Sequence, residues 1–291
     1  MIKDWLLDIL RCPDTGEDLA LSDNGRQIST GTRTFPVNDD IPTFLEKKEN
    51  GDVFDYTTHY TTDAEEFDYF SDETDPLTAL HLKLLRTLVM NHVPDTATLV
   101  LDVGCGSAFV AQHLCPRGKK VVSMDIAYAN AHKALSRYPN ENHAAVVADA
   151  YHLPFADSSF DCIIASEIIE HTVDPRGFVA SLLSKLKPGG TLIVSTPYKE
   201  QIAYSLCIHC NRKTPHNAHL HSFDEEKVRR MVAPLHAEIK GIRLVGNKLL
   251  LRTHLSVLLS HLGMPVWKSC DRIANSLIHK ANHFIITITK S

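Results

Sequence analysis

The run Leu99-Val-Leu-Asp-Val-Gly-Cys-Gly-Ser-Ala108 constrains the chain more tightly than any other stretch of similar length. Its apolar, β-branched beginning reads as a buried strand, and an acid followed by two alternating glycines reads as a sharp turn out of that strand. Glycine at Gly104 and Gly106 lets backbone N–H groups approach a ligand where a β-carbon would block them. A helix is expected from about Ala108, so its positive end faces whatever the glycines admit. A dinucleotide turn, G-x-G-x-x-G, needs a further glycine at the position held here by Phe109, which counts against a pyrophosphate ligand. Asp102, two residues before the first glycine, suits a ligand that carries a positive amino group.

The pattern of an apolar strand closing on an acid repeats twice, in Lys119-Lys-Val-Val-Ser-Met-Asp125 and in Ala144-Ala-Val-Val-Ala-Asp149. Helix-like stretches separate the strands, which is the signature of a doubly wound parallel sheet. Further on stand Asp149-Ala-Tyr-His-Leu-Pro-Phe-Ala-Asp-Ser-Ser-Phe-Asp161, the strand Cys162-Ile-Ile-Ala-Ser166 and Leu186-Lys-Pro-Gly-Gly-Thr-Leu192. This ordered set closely resembles the class I S-adenosylmethionine-dependent methyltransferases, in particular those acting on small molecules. The resemblance implies an α/β fold with a seven-stranded, mostly parallel sheet whose last strand is antiparallel. It also implies S-adenosylmethionine as cofactor, with Gly104 and Gly106 under its methionine part and Asp102 holding the amino group. Asp125 would take the ribose hydroxyls, Met124 and Ile126 would flank the adenine, and Asp149 with the Ala150 backbone would meet the adenine amino group. The family's third glycine is replaced by Ala108.

Methyl transfer is an in-line displacement in which orientation alone is worth ~7–11 kcal/mol, so no elaborate catalytic constellation is required. Glu167-Ile-Ile-Glu-His171 follows the fourth strand, where the family's active site opens, and on a helical turn Glu167, Glu170 and His171 share a face. His171 is a candidate general base, Glu167 a contact of both cofactor and acceptor, and Tyr198 lies at the lip after the fifth strand. The E-x-x-E-H set also resembles the divalent-metal group of some quinone-biosynthesis and small-RNA methyltransferases, although the same letters are widespread without metal. Cys207, Cys210, His216 and His219 form a C-x₂-C-x₅-H-x₂-H set, which is expected to hold a structural Zn²⁺. His219 and His221 are alternative bases.

Residues 1–46 resemble a small zinc-ribbon unit, but its four ligand positions read Cys12, Thr15, Ile28 and Gly31. A lone thiolate builds no tetrahedral site, so a metal-free mini-domain held by Phe35, Ile41 and Phe44 is expected. Residues 47–75 are acidic and aromatic and read as a linker or lid, some of whose rings are expected to cover the cofactor. Residues 76–291 then form the methyltransferase domain, with insertions at 197–223 and at 248–280, the second leucine-rich. A net charge of −5 provides no bulk basic field for nucleic acid. The absence of a leader-like segment or a long apolar run, together with an odd seven cysteines, points to the cytoplasm and to no transmembrane segment. The leading expectation is an enzyme that methylates a small, lipophilic or aromatic acceptor, with the leucine-rich insertion serving as lid, membrane-surface patch, core or homodimer interface. The alternatives are methylation of tRNA or protein, and a non-catalytic cofactor-binding regulatory domain.

Overall fold

The computed structural model describes residues 2–45, 55–253 and 255–291. The expected boundary at residue 46 and the ring of Phe54 lie outside the described residues.

A short helix α1 (Asp4–Leu7) precedes strands β1 (Ala20–Leu21), β2 (Gln27–Ser29), β3 (Thr34–Asn38) and β4 (Ile41–Pro42), which form an antiparallel sheet in that order. Helices α2 (Tyr56–Glu66) and α3 (Pro76–Met90) follow. The alternating core then runs β5 (Leu99–Val103), α4 (Phe109–Leu114), β6 (Lys120–Asp125), α5 (Tyr128–Arg137), β7 (His143–Val147), β8 (Phe160–Ser166), α6 (Pro175–Lys185) and β9 (Leu186–Pro197). A hairpin of β10 (Tyr204–Leu206) and β11 (Lys213–Pro215) leads to α7 (Glu225–Val232) and β12 (Ala237–Asn247). Three helices, α8 (Lys248–Arg252), α9 (Leu255–His261) and α10 (Met264–Leu277), separate β12 from the last strand, β13 (Ala281–Lys290).

The seven-stranded sheet has the order β12-β13-β9-β8-β5-β6-β7. The last strand in sequence therefore sits between the fifth and sixth strands of this sheet, and β12 pairs with β13 antiparallel. Strand order reverses beside β5, and crevices at the carboxyl ends of strands next to such a switch are the usual ligand sites of α/β sheets.

By contacts the chain divides into two units, Met1–Ser71 with Pro94–Ile164 and Ala180–Thr191, and Asp72–Val93 with Ala165–Val179 and Leu192–Ser291. In the first, β5, β6 and β7 run parallel, with Asp102 opposite Ser123 and Met124 opposite Val146. Parallel strands align their carboxyl ends, so Gly104, Asp125 and Asp149 all emerge on one edge. The N-terminal sheet is stitched onto this unit. Phe44 donates its N–H to the Val147 carbonyl (2.8 Å), and Ile41 packs with Ala131, Ala145 and Val147. Phe35 and Phe44 are buried with ring centroids 4.9 Å apart, and Ile28 is buried as well.

Part of the stretch read as linker is a helix. Asp55 caps α2 by accepting the Thr58 N–H (3.1 Å), and Tyr56, Tyr60 and Ala64 recur every fourth residue, one helical face. The acidic content masked that periodicity. In the second unit, Asp271 of α10 accepts the N–H groups of Gly246 (3.1 Å) and Asn247 (2.7 Å), tying the inserted helices to the end of β12. Among the described residues no helix is long and apolar enough to cross a membrane.

Candidate active site

In the first unit the glycine turn has the backbone its residues allow. Gly104 (φ 64°) and Gly106 (φ 43°) are left-handed, and so is Ala108 (φ 52°), which stands at the start of α4 where the family has glycine. Asp102 is buried on β5. The Asp125 carboxylate accepts from the N–H of Ala127 (2.9 Å) and of Gly106 (3.2 Å) and from Asn130 Nδ2 (3.3 Å). Burial pushes its pKa up despite these donors. Ile126 is half-buried beside Asp125. The Ala150 carbonyl accepts the Ser181 hydroxyl (2.6 Å).

Two tyrosines of the 55–71 stretch reach this edge. Tyr56 donates its hydroxyl to Asp149 Oδ2 (2.6 Å), and burial with that carboxylate raises the phenol's pKa. A β-carbon built on Gly106 would lie 3.9 Å from Cδ1 of Tyr69, whose hydroxyl donates to Asp63. The sequence marked these rings only collectively; for Tyr56 the four-residue spacing that it starts was the available signal.

The second unit holds two polar clusters. Glu167 has a left-handed backbone (φ 59°), which breaks the helical turn expected across residues 167–171. The continuous helical face read from the spacing is therefore interrupted, although the Glu167 charge still reaches Glu170. Glu167 Oε2 meets His283 Nε2 (2.7 Å), Oε1 accepts from Ser195 Oγ (2.8 Å), and His283 Nδ1 in turn meets His81 Nε2 (2.7 Å). Burial pushes the Glu167 carboxyl up, but the His283 imidazole and the two hydrogen bonds outweigh it and hold the group ionised. His81 is depressed to about 4 by burial and by the neighbouring His283. Neither histidine stood out in the sequence, where no spacing links the two.

Glu170, His171 and His219 form the other cluster, with ligating atoms all within 4.8 Å of one another. Glu170 is 1% exposed. Its Oε2 accepts the Thr196 hydroxyl (2.9 Å), while its Oε1 is buried without a hydrogen-bond partner. Burial, and then the Glu167 charge, push this carboxyl well above its ordinary range. His171 and His219 meet edge to face at 4.8 Å, and Glu200 takes His219 Nδ1 (2.6 Å), leaving Nε2 as that ring's ligand atom. A carboxylate behind a histidine is the usual outer support of a metal ligand. The donor set and the orphaned buried oxygen fit a divalent cation.

The four residues expected to bind zinc are not gathered. Cys207 and Cys210 sit together in the β10–β11 turn, where the N–H groups of Cys210 and His209 lower the Cys207 thiol's pKa. Between the two histidines the backbone turns left-handed at Asn217 and Ala218, and they part company. His216 Nε2 meets Ser205 Oγ (2.5 Å), whereas His219 joins Glu200 and His171. Tyr198 is likewise not an open lip. It is 2% exposed, its ring packs on Phe284, and its hydroxyl donates to both oxygens of Glu225 (2.9 and 3.0 Å), anchoring α7. His221 lies against Phe223, its pKa lowered by burial and by Lys227.

A methyltransferase-domain family model matches residues 101–194, the span that carries the glycine turn, Asp125, Asp149 and the Glu167–His171 segment. By this match residues 101–194 form a methyltransferase domain. Over 134 residues, 43% of the chain, it is 32% identical to the mitochondrial ubiquinone biosynthesis O-methyltransferase of Homo sapiens. The chain spans only about a third to a half of such relatives, 36% of the human protein and 55% of a Rickettsia bellii one. Among solved structures, the 1,6-didemethyltoxoflavin-N1-methyltransferase of Burkholderia thailandensis superposes with a TM-score of 0.54 at 15% identity, covering 90% of this chain and 97% of that one. The [4+2]-cyclase SpnF gives 0.54 at 18% identity, over 81% and 93%. These likenesses establish the fold and leave the reaction to the residues.

Proposed function

We propose that the chain transfers the methyl group of S-adenosylmethionine to a hydroxyl oxygen of a small, lipophilic or aromatic acceptor. The observation that carries this reading is the buried Glu170–His171–His219 set, a place for a divalent cation that orients acceptor hydroxyls. The naming of relatives as ubiquinone biosynthesis O-methyltransferases supports the same choice of acceptor atom. A cation held by Glu170, His171 and His219 would supply Lewis acidity toward an acceptor hydroxyl.

The protein's own groups do the rest. Asp102, Gly104, Gly106, Asp125 and Asp149 hold and orient the sulfonium nucleoside, with Tyr56 and Tyr69 as its cover. Thr196 aims Glu170 and Glu200 aims His219. An imidazole lone pair serves one purpose at a time, so His171 as ligand is not the base. The acceptor's proton passes to Glu167, whose ionised carboxylate His283 and Ser195 hold in place.

The test is transfer of a radiolabelled methyl group to alkyl-substituted dihydroxybenzenes, run with EDTA and after Mg²⁺ or Zn²⁺ is added back. Transfer should fall on chelation, return with metal, and drop on the order of 100-fold in Glu170→Gln. Transfer indifferent to both changes removes the cation from the account. Cofactor binding with no transfer to any hydroxylated acceptor removes O-methylation itself.

A further inference from the structure

Within the second unit, β12, α10 and the turn after α3 line an open groove of about 360 Å³. Arg243, Arg272, His92 and His279 line it together with the amide of Asn275 and the hydroxyl of Ser276. Among the described residues its lining contains no carboxylate. Asp271, whose charge reaches Arg243, spends its oxygens on the N–H groups of Gly246 and Asn247 and on Asn275 Nδ2 (3.2 Å). Arg243 Nε is buried with no hydrogen-bond partner, and neither Arg243 nor Arg272 is in an ion pair among the described residues.

The half-buried Arg243 keeps a buried N–H without an acceptor, and the exposed Arg272 guanidinium lines the same groove. Burial and then Arg272 lower the pKa of Arg243, and burial and then Arg243 lower that of Lys268, so the cations of this face oppose one another. The chain as a whole carries −5, which makes the local concentration of positive charge the exception. Planar guanidinium forks and imidazoles around a groove of this size match the oxygens of a phosphate group. On the same helix, Ile273 (58% exposed) and Leu277 (76%) stand uncovered beside the charged residues.

We propose that the Arg243–Arg272 groove is a binding site for a phosphate-bearing anion, separate from the groups assigned to methyl transfer. The phosphate comes either from a free phosphorylated compound or from an anionic lipid headgroup, whose chains would meet Ile273 and Leu277.

Two arms on the full chain distinguish these sources. Calorimetry with inorganic phosphate probes the first. Co-sedimentation with vesicles of phosphatidylglycerol and phosphatidylcholine, against phosphatidylcholine alone, probes the second. Binding is expected in at least one arm, weakened by added sodium chloride and reduced at least fivefold in Arg272→Gln. The exposed control Arg230→Gln, on α7, should bind as wild type does. Arg272→Gln should also keep wild-type affinity for S-adenosylhomocysteine, which shows that it is folded. Binding in neither arm, or equal binding by Arg272→Gln, overturns the site and leaves the methyl-transfer reading untouched.

Discussion

Acidification should destabilise this protein through one buried imidazole. His81 is 5% exposed, and its pKa falls from 6.5 to about 4 in the fold. The neutral ring is therefore the native form, while the unfolded chain takes up a proton as pH drops below about 6.5. More protons bind to the unfolded state in this window, so stability is present above it and is lost as pH falls toward the folded value. At pH 5 the unfolded state gains a factor of about 30 in its favour, or about 2 kcal/mol, and the limiting loss at lower pH is about 3.4 kcal/mol. Urea unfolding followed by circular dichroism at about pH 7.5 and 5 gives the stability difference for wild type and for His81→Gln. The substitution also loses packing, so the pH difference is the quantity to read. It should shrink by about 2 kcal/mol in the variant. Equal pH differences in the two proteins refute the argument, because His81 would then titrate alike in both states.

Glu170→Gln should lower divalent-cation affinity at least tenfold in calorimetry. It should also raise the stability of the metal-free protein near neutral pH. A carboxyl whose pKa is raised by folding loses stability as pH climbs from about 4.5 through its folded value, and the amide removes that loss. Gly246→Ala should cost at least 2 kcal/mol in the same unfolding assay, because a β-carbon there overlaps the His81 ring on a left-handed backbone (φ 70°). Tyr198→Phe should cost about 1 kcal/mol of stability and leave methyl transfer within about twofold of wild type, since its hydroxyl serves Glu225. A large loss of transfer by a stable Tyr198→Phe would return that hydroxyl to the reaction.

The sheet edge that gathers Gly104, Asp125 and Asp149 was legible because its signals are local. Gly104 directly follows β5, Asp125 closes β6 and Asp149 lies two residues after β7, and parallel pairing brings these strand ends together. The second unit depends on contacts distant in sequence. Glu167 meets His283 and Ser195, Glu170 meets Thr196, and His219 meets Glu200, which spacing does not encode. Spacing misled twice for one physical reason. The Glu167–His171 face and the cysteine–histidine set both assumed continuous backbone geometry, and left-handed residues at Glu167, Asn217 and Ala218 interrupt it.

The account rests on the edge beyond β5, β6 and β7 receiving S-adenosylmethionine, and its direct measurement is calorimetric titration of the protein with S-adenosylhomocysteine. Saturable binding at one site per chain is expected, weakened about tenfold or more by Asp125→Ala, because hydrogen bonds to a charged group contribute ~1.5–3 kcal/mol. No binding by the folded protein, or an affinity that Asp125→Ala leaves unchanged, would contradict it.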